Sequence, residues 1–328
     1  MFKKSSFYLL IALLLLLAAC GDSSDDTNEG TTGTDEGTEE TTEETNEEEA
    51  NADTYVPESL IVQFVPSQNA ETLEARAKPL EDLLQEQLGI DVTVNVSTNY
   101  NTVVEAMASG QIDIGFLPPN AYVQAHDEYG AAEVILQSQR FGVNEDGSPT
   151  EDLVDHYFSM IIARADSDIE SLEDLKGKTI AFQDYTSSAG YVWPAGILLD
   201  NDIDPQTDVN PLTLQGHDAG VTAVLNGEAD AAAIFQDARN VVVNDFPTVF
   251  EDTKVVALTE KIPNDTISVR PDMDDEWKTK IQQAFIEIGQ SEEGLEIIRD
   301  IYSHEGYAES QDSNFDVVRD YAERIQGN

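Results

Sequence analysis

The chain has 328 residues, with 65 acidic against 17 basic side chains, a formal net charge of −48 and a single cysteine. A surface this negative repels nucleic acid and anionic lipid headgroups, which removes both as partners. One cysteine excludes an internal disulfide, and the four histidines lack the close spacing of a metal-ligand motif, so no cofactor is expected.

Lys3 and Lys4 precede an apolar run from Phe7 to Ala19. That run has the length of a signal peptide and falls short of the ~20 residues of a membrane span. It ends in Leu17-Ala18-Ala19-Cys20-Gly21, which resembles the bacterial lipobox. Residues 1–19 are therefore expected to be a signal peptide, with Cys20 lipidated. Two or three acyl chains at one residue anchor a protein stably. The expected location is the extracellular face of the cell membrane, or the periplasmic side where an outer membrane exists. From Gly21 to Asp53 come fourteen acids, no base and no aromatic or large aliphatic residue. Such a segment cannot bury apolar surface, so residues 20–54 read as a disordered acidic tether.

About 270 residues follow Tyr55, enough for two lobes. Their excess acids are dispersed, as in Glu81-Asp82 and Asp272 to Glu276, which reads as a salt-adapted or otherwise acid-tolerant exterior. Leu60 to Val65 predicts a buried strand, followed by apolar positions at helical spacing from Leu73 to Leu88 and a C-capping Gly89. Strands are expected at Val92–Val96 and Ile112–Phe116, a helix at Val103–Ala108, and another opened by Pro118-Pro119. The polar stretch Asn144 to Asp155 reads as a surface insertion. The pattern restarts with strands at Phe158–Ala163, Thr179–Gln183, Val209–Leu214 and Ala229–Phe235, separated by helices at Ser171–Leu175, Gly190–Leu199 and Ala219–Leu225. Strands near Val255–Leu258 and Ile267–Arg270 and three helices, the last at Asn314–Ile325, close the chain.

Two successive α/β units predict a two-lobed clamp, two open α/β sheets joined by two crossing segments. Crossings near Arg164 and Val255 put lobe one at 55–163 plus 256–328 and lobe two at 164–255. An internal echo fits duplicated topology: Glu105-Ala-Met-Ala-Ser-Gly-Gln-Ile-Asp-Ile parallels Thr222-Ala-Val-Leu-Asn-Gly-Glu-Ala-Asp-Ala, each a helix, a glycine stop and a strand with an aspartate.

In open α/β sheets ligands sit beyond the carboxyl ends of the strands. At one such turn, Asp184-Tyr185-Thr186-Ser187-Ser188-Ala189-Gly190, hydroxyls crowd small residues just before a helix, a neutral cradle for an oxyanion. At Gly216-His217-Asp218 the residues alone read equally as an anion donor or a structural histidine. A third turn, Phe116 to Tyr122, reads as architectural. Neither a Gly-x-Ser-x-Gly elbow nor a Walker-type loop occurs, so the chain is not read as an enzyme.

The stretches from Tyr100 to Ile114 and Ser171 to Phe182, the hydroxyl turn, Gly216-His217-Asp218 and Ile262-Pro263-Asn264-Asp265, in that order, resemble the phosphonate/phosphite-binding substrate receptors of ABC importers, a type II periplasmic-binding-protein-like family. The resemblance runs from about Val56 to Tyr302. It implies capture of a small phosphorus oxyanion between two lobes and delivery to an ABC importer permease, by a monomer held at the membrane through lipid on Cys20. It also implies roles for Ser187 and Ser188 at the oxyanion, with Ala189 where the family carries a third hydroxyl and Thr186 to compensate. His217 matches the anion-binding histidine, Asp237 and Asp265 the acids that face an amino group, and Tyr100 and Tyr157 the tyrosines. On this set the anion is satisfied without a buried Arg or Lys. The alternatives are a clamp for a sulfonate or vitamin precursor, an extracellular sensor module, or a phosphate-ester hydrolase.

Overall fold

The computed structural model describes residues 54–144, 149–236 and 238–326. The expected signal peptide, Cys20 and the acidic tether lie outside the described residues, as does Asp237. No helix among the described residues is long and apolar enough to cross a membrane.

The strands are β1 (Ser59–Phe64), β2 (Asp91–Val96), β3 (Ile114–Leu117), β4 (Glu133–Val143), β5 (Pro149–Val154), β6 (His156–Tyr157), β7 (Ser159–Arg164), β8 (Thr179–Phe182), β9 (Asn210–Thr213), β10 (Ala231–Phe235), β11 (Thr253–Leu258), β12 (Ile262–Pro263), β13 (Thr266–Val269) and β14 (Gly306–Glu309). One sheet runs β14-β4-β13-β3-β1-β2, with β5 paired to β4; the other runs β11-β7-β10-β8-β9. Each carries a run of parallel strands at one end, β3-β1-β2 and β10-β8-β9, with antiparallel strands beyond β3 and β10. This is the two-lobed α/β clamp.

The first lobe forms as its pattern dictates. Leu60, Val62 and Phe64 alternate into the core of β1, where they meet Leu73, Ala77, Leu80, Leu84 and Leu88 of helix Ala70–Leu88. Each fully buried Leu contributes about 1.5–3 kcal/mol. Asn69 caps this helix through Thr72 N–H, and Gly89 ends it at φ 71°. In the second lobe Ile161, Ile180 and Phe182 pack with Leu198 and Ile203.

The sequence echo is a structural duplication. Asp113 accepts the Ile61 N–H at 2.8 Å, and Asp230 accepts the Thr179 N–H at 2.7 Å. Each aspartate therefore holds the strand before its own sheet's switch point, β1 or β8, in the same way.

The crossings differ from expectation. Strands β7 and β11 both belong to the five-stranded sheet, where they pair antiparallel, so Arg164 and Val255 lie inside the second lobe. The chain passes between sheets at 155–158 and 259–265, and there β6 and β12 pair as a two-stranded ribbon. The reason is pairing: Ser159 to Arg164 finds its hydrogen-bond partner in β10. The expected insertion at 144–155 contains β5, which pairs with β4 through Arg140 and Val154.

Candidate functional site

The carboxyl ends of β1 and β8 are the two points where chain order reverses within a sheet, and they face each other across the cleft. Beyond β1, Val65 and Ser67 line a cavity; beyond β8, Ser187 and Ala189 line it from the other side. The space open to water centres is about 30 Å³, above the ~10–15 Å³ that one water needs and enough only for a compact group.

The hydroxyl turn is built tightly. Gln183 N–H donates to Gly190 O at 3.0 Å, and a Cβ on Gly190 would collide with Gln183. Ser187 accepts the Gly190 N–H at 3.1 Å and sets its hydroxyl against the Tyr100 phenol. Ser188 is fully buried, but its Oγ accepts the Asn120 N–H of the first lobe at 3.0 Å, which ties the lobes together beside the cavity. Thr186 is not brought in: its hydroxyl donates to Asp184 at 2.7 Å in a local turn, and the residue lines a separate surface cavity. Compensation for Ala189 by Thr186 is therefore unsupported by the placement, because the turn closes on Asp184.

His217 opens helix His217–Asn226 and lines the cavity, with 2% of its surface exposed. Burial pushes its pKa down to about 3, with the Asp265 charge opposing the shift and Arg140 adding to it, so the ring is neutral. Its Nδ1 accepts the Phe235 N–H at 3.2 Å. A neutral imidazole that accepts at one nitrogen carries its proton on the other, so Nε2–H is the donor left for a ligand.

Tyr100, Tyr157 and Asp265 also line the cavity. Burial raises both phenol pKa values, which keeps the tyrosines protonated as donors. Two further residues change the chemistry. Arg140, from β4, reaches the cavity with a side chain only 5% exposed, and its Nη2 donates to Asp265 Oδ2 at 3.1 Å. His304 Nε2 lies 3.7 Å from the same oxygen. Burial is the largest single influence on Asp265 and opposes ionisation, but His304 and Arg140 together outweigh it and hold the carboxyl below its usual range. The expectation of a site without a buried cation is thus corrected. Strand β4 brings one in because it lies beside β13, just past Asp265.

The lobes are closed on each other. His217 N–H donates to Ser67 O at 2.9 Å, Asn69 N–H to Asp218 Oδ2 at 3.3 Å, Asn120 Nδ2 to Thr186 O at 3.3 Å, and Gln215 Nε2 to Thr98 O. Gly216 makes this approach possible. It sits at φ 88°, and a Cβ there would overlap Asp218 Oδ1 and stand 3.1 Å from the Gln68 carbonyl carbon of the first lobe. Gly216→Ala is expected to weaken ligand binding by about ten-fold or more, since backbone strain of about 1–3 kcal/mol adds to a contact made only on closure. Titration calorimetry on the folded variant checks this; unchanged affinity would show that closure does not need the glycine.

Elsewhere, His126, Asp127 and Asp312 bring three ligand atoms within 4.8 Å of one another. Arg319 already binds both carboxylates, at 2.7 and 2.6 Å, so a guanidinium supplies the positive charge there.

The family described as the phosphonate periplasmic substrate-binding proteins of ABC transporters matches residues 62–315. The chain belongs to this family. Among its relatives, the phosphate-import protein PhnD of Mycolicibacterium smegmatis is 32% identical over 187 residues, which cover 55% of this chain and 56% of that protein. The phosphonates-binding periplasmic protein of Escherichia coli is 24% identical over 233 residues, covering 70% and 66%. The matches thus span between half and two thirds of these relatives. In fold, the chain is similar to the binding-protein component of an ABC phosphonate transporter from Pseudomonas aeruginosa, with TM-score 0.72, 22% identity and coverage of 82% and 86%. It is also similar to PhnD1 of Prochlorococcus marinus in complex with methylphosphonate, with TM-score 0.69, 16% identity and coverage of 83% and 99%.

Within this phosphonate-receptor fold, the sequence reading missed Ser67, Arg140, Tyr302 and His304. Ser67 had a usable signal, since it follows the first strand's carboxyl end at a switch point. The other three come from strand β4 and the segment near β14, which the α/β pattern does not mark.

Proposed function

We propose that the chain is the extracytoplasmic receptor of an ABC importer and captures a compact phosphorus oxyanion in the cleft between its lobes. The observation that carries this reading is the small closed cavity where a neutral His217 with its proton on Nε2, the Ser187 hydroxyl and two tyrosine phenols converge. Such a donor set satisfies oxygen atoms at short range, and it needs neither a nucleophile nor a metal. The protein therefore binds without turnover. Tyr100, Tyr157, Ser187, His217 and Asp265 form the wall of the site, and Ser188 acts by holding the lobes closed. A ligand role for Asp237, which follows Gln236 in the chain, rests on the family resemblance alone.

The protein is anchored at the outer face of the membrane by lipid on Cys20, acts as a monomer and hands its ligand to a permease. Its negative envelope repels the ligand at long range, but salt screens that repulsion beyond ~8–10 Å, so affinity rests on contacts inside the cleft. The test is calorimetric titration of protein freed of carried-over ligand with phosphite, phosphate, methylphosphonate, 2-aminoethylphosphonate, sulfate and taurine. Micromolar or tighter binding of a phosphorus oxyanion is expected. Silence across the phosphorus compounds, or preference for a sulfur oxyanion, would overturn the reading.

A further inference from the structure

The carboxylate of Asp265 is the one acidic group among the described residues lining the cavity, and it would be the natural partner for a ligand's ammonium group. It is already engaged. Arg140 donates to its Oδ2 at 3.1 Å, and His304 stands 3.7 Å from the same atom. Arg140 is also the one Lys or Arg lining the cavity among the described residues, and its guanidinium lies 5.3 Å from the Tyr157 ring centre and 5.8 Å from that of Phe235. The cation is thus packed into the wall. A ligand ammonium brought to Asp265 would lie within a few ångströms of a guanidinium, where like charges repel strongly at low dielectric. The rest of the described wall carries no further charge: Val65, Phe116, Pro118, Ala189 and Phe235 offer apolar surface to whatever the oxyanion carries, beside the neutral hydroxyls of Ser67 and Tyr302.

We propose that the Arg140–Asp265 pair makes this a receptor for phosphorus oxyanions whose substituent is apolar or absent, and that it rejects those bearing an amino group. The inference rests on the oxyanion reading above. Arg140 acts as a specificity determinant: it cancels the Asp265 charge that would otherwise repel the incoming anion, and it occupies the position an ammonium group would need. Discrimination comes from a built-in repulsive element as much as from an attractive one.

The test compares methylphosphonate with 2-aminoethylphosphonate by titration calorimetry on ligand-free protein and its variants. The unaltered protein is expected to bind methylphosphonate about ten-fold or more tightly than the amino compound. Arg140→Gln exposes the carboxylate, and is expected to lose about ten-fold in methylphosphonate affinity and to narrow or reverse the ratio. Asp265→Asn removes the opposing charge, and is expected to tighten methylphosphonate binding by about three- to ten-fold, the opposite of what loss of a ligand contact gives. If Arg140→Gln does not fold, the double variant Arg140→Gln/Asp265→Asn leaves neither charge unpaired; it is expected to bind the two ligands within about three-fold of each other. Preference of the unaltered protein for 2-aminoethylphosphonate, or a selective loss of that ligand in Asp265→Asn, overturns the inference while leaving the oxyanion reading intact. Binding of no phosphorus compound overturns both.

Discussion

Replacing His217 with alanine is expected to weaken capture of the phosphorus oxyanion about 100-fold. The ring's protonation fixes which nitrogen donates. A histidine buried this deeply is neutral, and its Nδ1 is committed to the Phe235 N–H. Nε2–H is then a fixed donor that needs no reorientation when the anion arrives. A hydrogen bond to a charged oxygen is worth about 1.5–3 kcal/mol, and each 1.4 kcal/mol is about ten-fold in affinity. The alanine also leaves a cavity beside Phe235, whose ring lies 4.8 Å from the imidazole. Stability should fall too, because a buried N–H without its acceptor costs about 1–3 kcal/mol. Titration calorimetry on variant shown to be folded by circular dichroism measures the affinity. An unchanged dissociation constant would remove His217 from the site.

Acid is expected to destabilise the protein through two histidines that are buried neutral. The folded pKa of His217 is pushed down to about 3 and that of His304 to about 4, in both cases mainly by burial. The unfolded chain titrates near 6.5, so between these values the unfolded state binds more protons and stability rises with pH. The contribution is complete above about pH 6.5 and is lost progressively as pH falls toward the folded values. Each histidine loses about 1.4 kcal/mol per pH unit in this window, hence on the order of 3 kcal/mol at pH 4.5. Protonation of the many surface acids acts at the same time, so the clean measurement is a difference. Urea unfolding at pH 7 and pH 4.5 is expected to show a fall about 3 kcal/mol smaller in His304→Gln than in the unaltered protein. Parallel pH profiles would mean that His304 is not held neutral in the folded state.

Much of the fold was legible because its two repeated cores are local. Leu73 to Leu88 marks a helix face by spacing alone, Gly89 marks its end, and the echoed aspartates mark the start of β3 and the approach to β10. Strand β4 and its antiparallel partners β5 and β14 were not legible. Strand β4 contains Gln137, Ser138, Gln139 and Arg140 in succession, of which Gln137, Ser138 and Arg140 are buried. Neither alternation nor an apolar run marks such a strand, because its polar side chains find partners far away in sequence. Gln137 donates to Asp155 O and Asn264 O, and Arg140 pairs with Asp265. The misplaced crossings have a related cause: an apolar run such as Met160 to Ala163 says that it is a strand, but not which sheet it joins.

By itself, the sequence displayed the lipobox-like segment, the acidic composition, the two α/β units and the turns that line the cavity. Those properties follow from composition and from short-range spacing, which a linear chain displays directly. It also placed Ser187, His217, Tyr100, Tyr157 and Asp265, the residues that the folded chain gathers around one cavity. Only the tertiary structure decided the charge of that cavity. Arg140 and Asp265 are 125 residues apart and meet because β4 and β13 are neighbours in one sheet. Charge interaction depends on distance in space, and strand pairing between remote segments sets that distance.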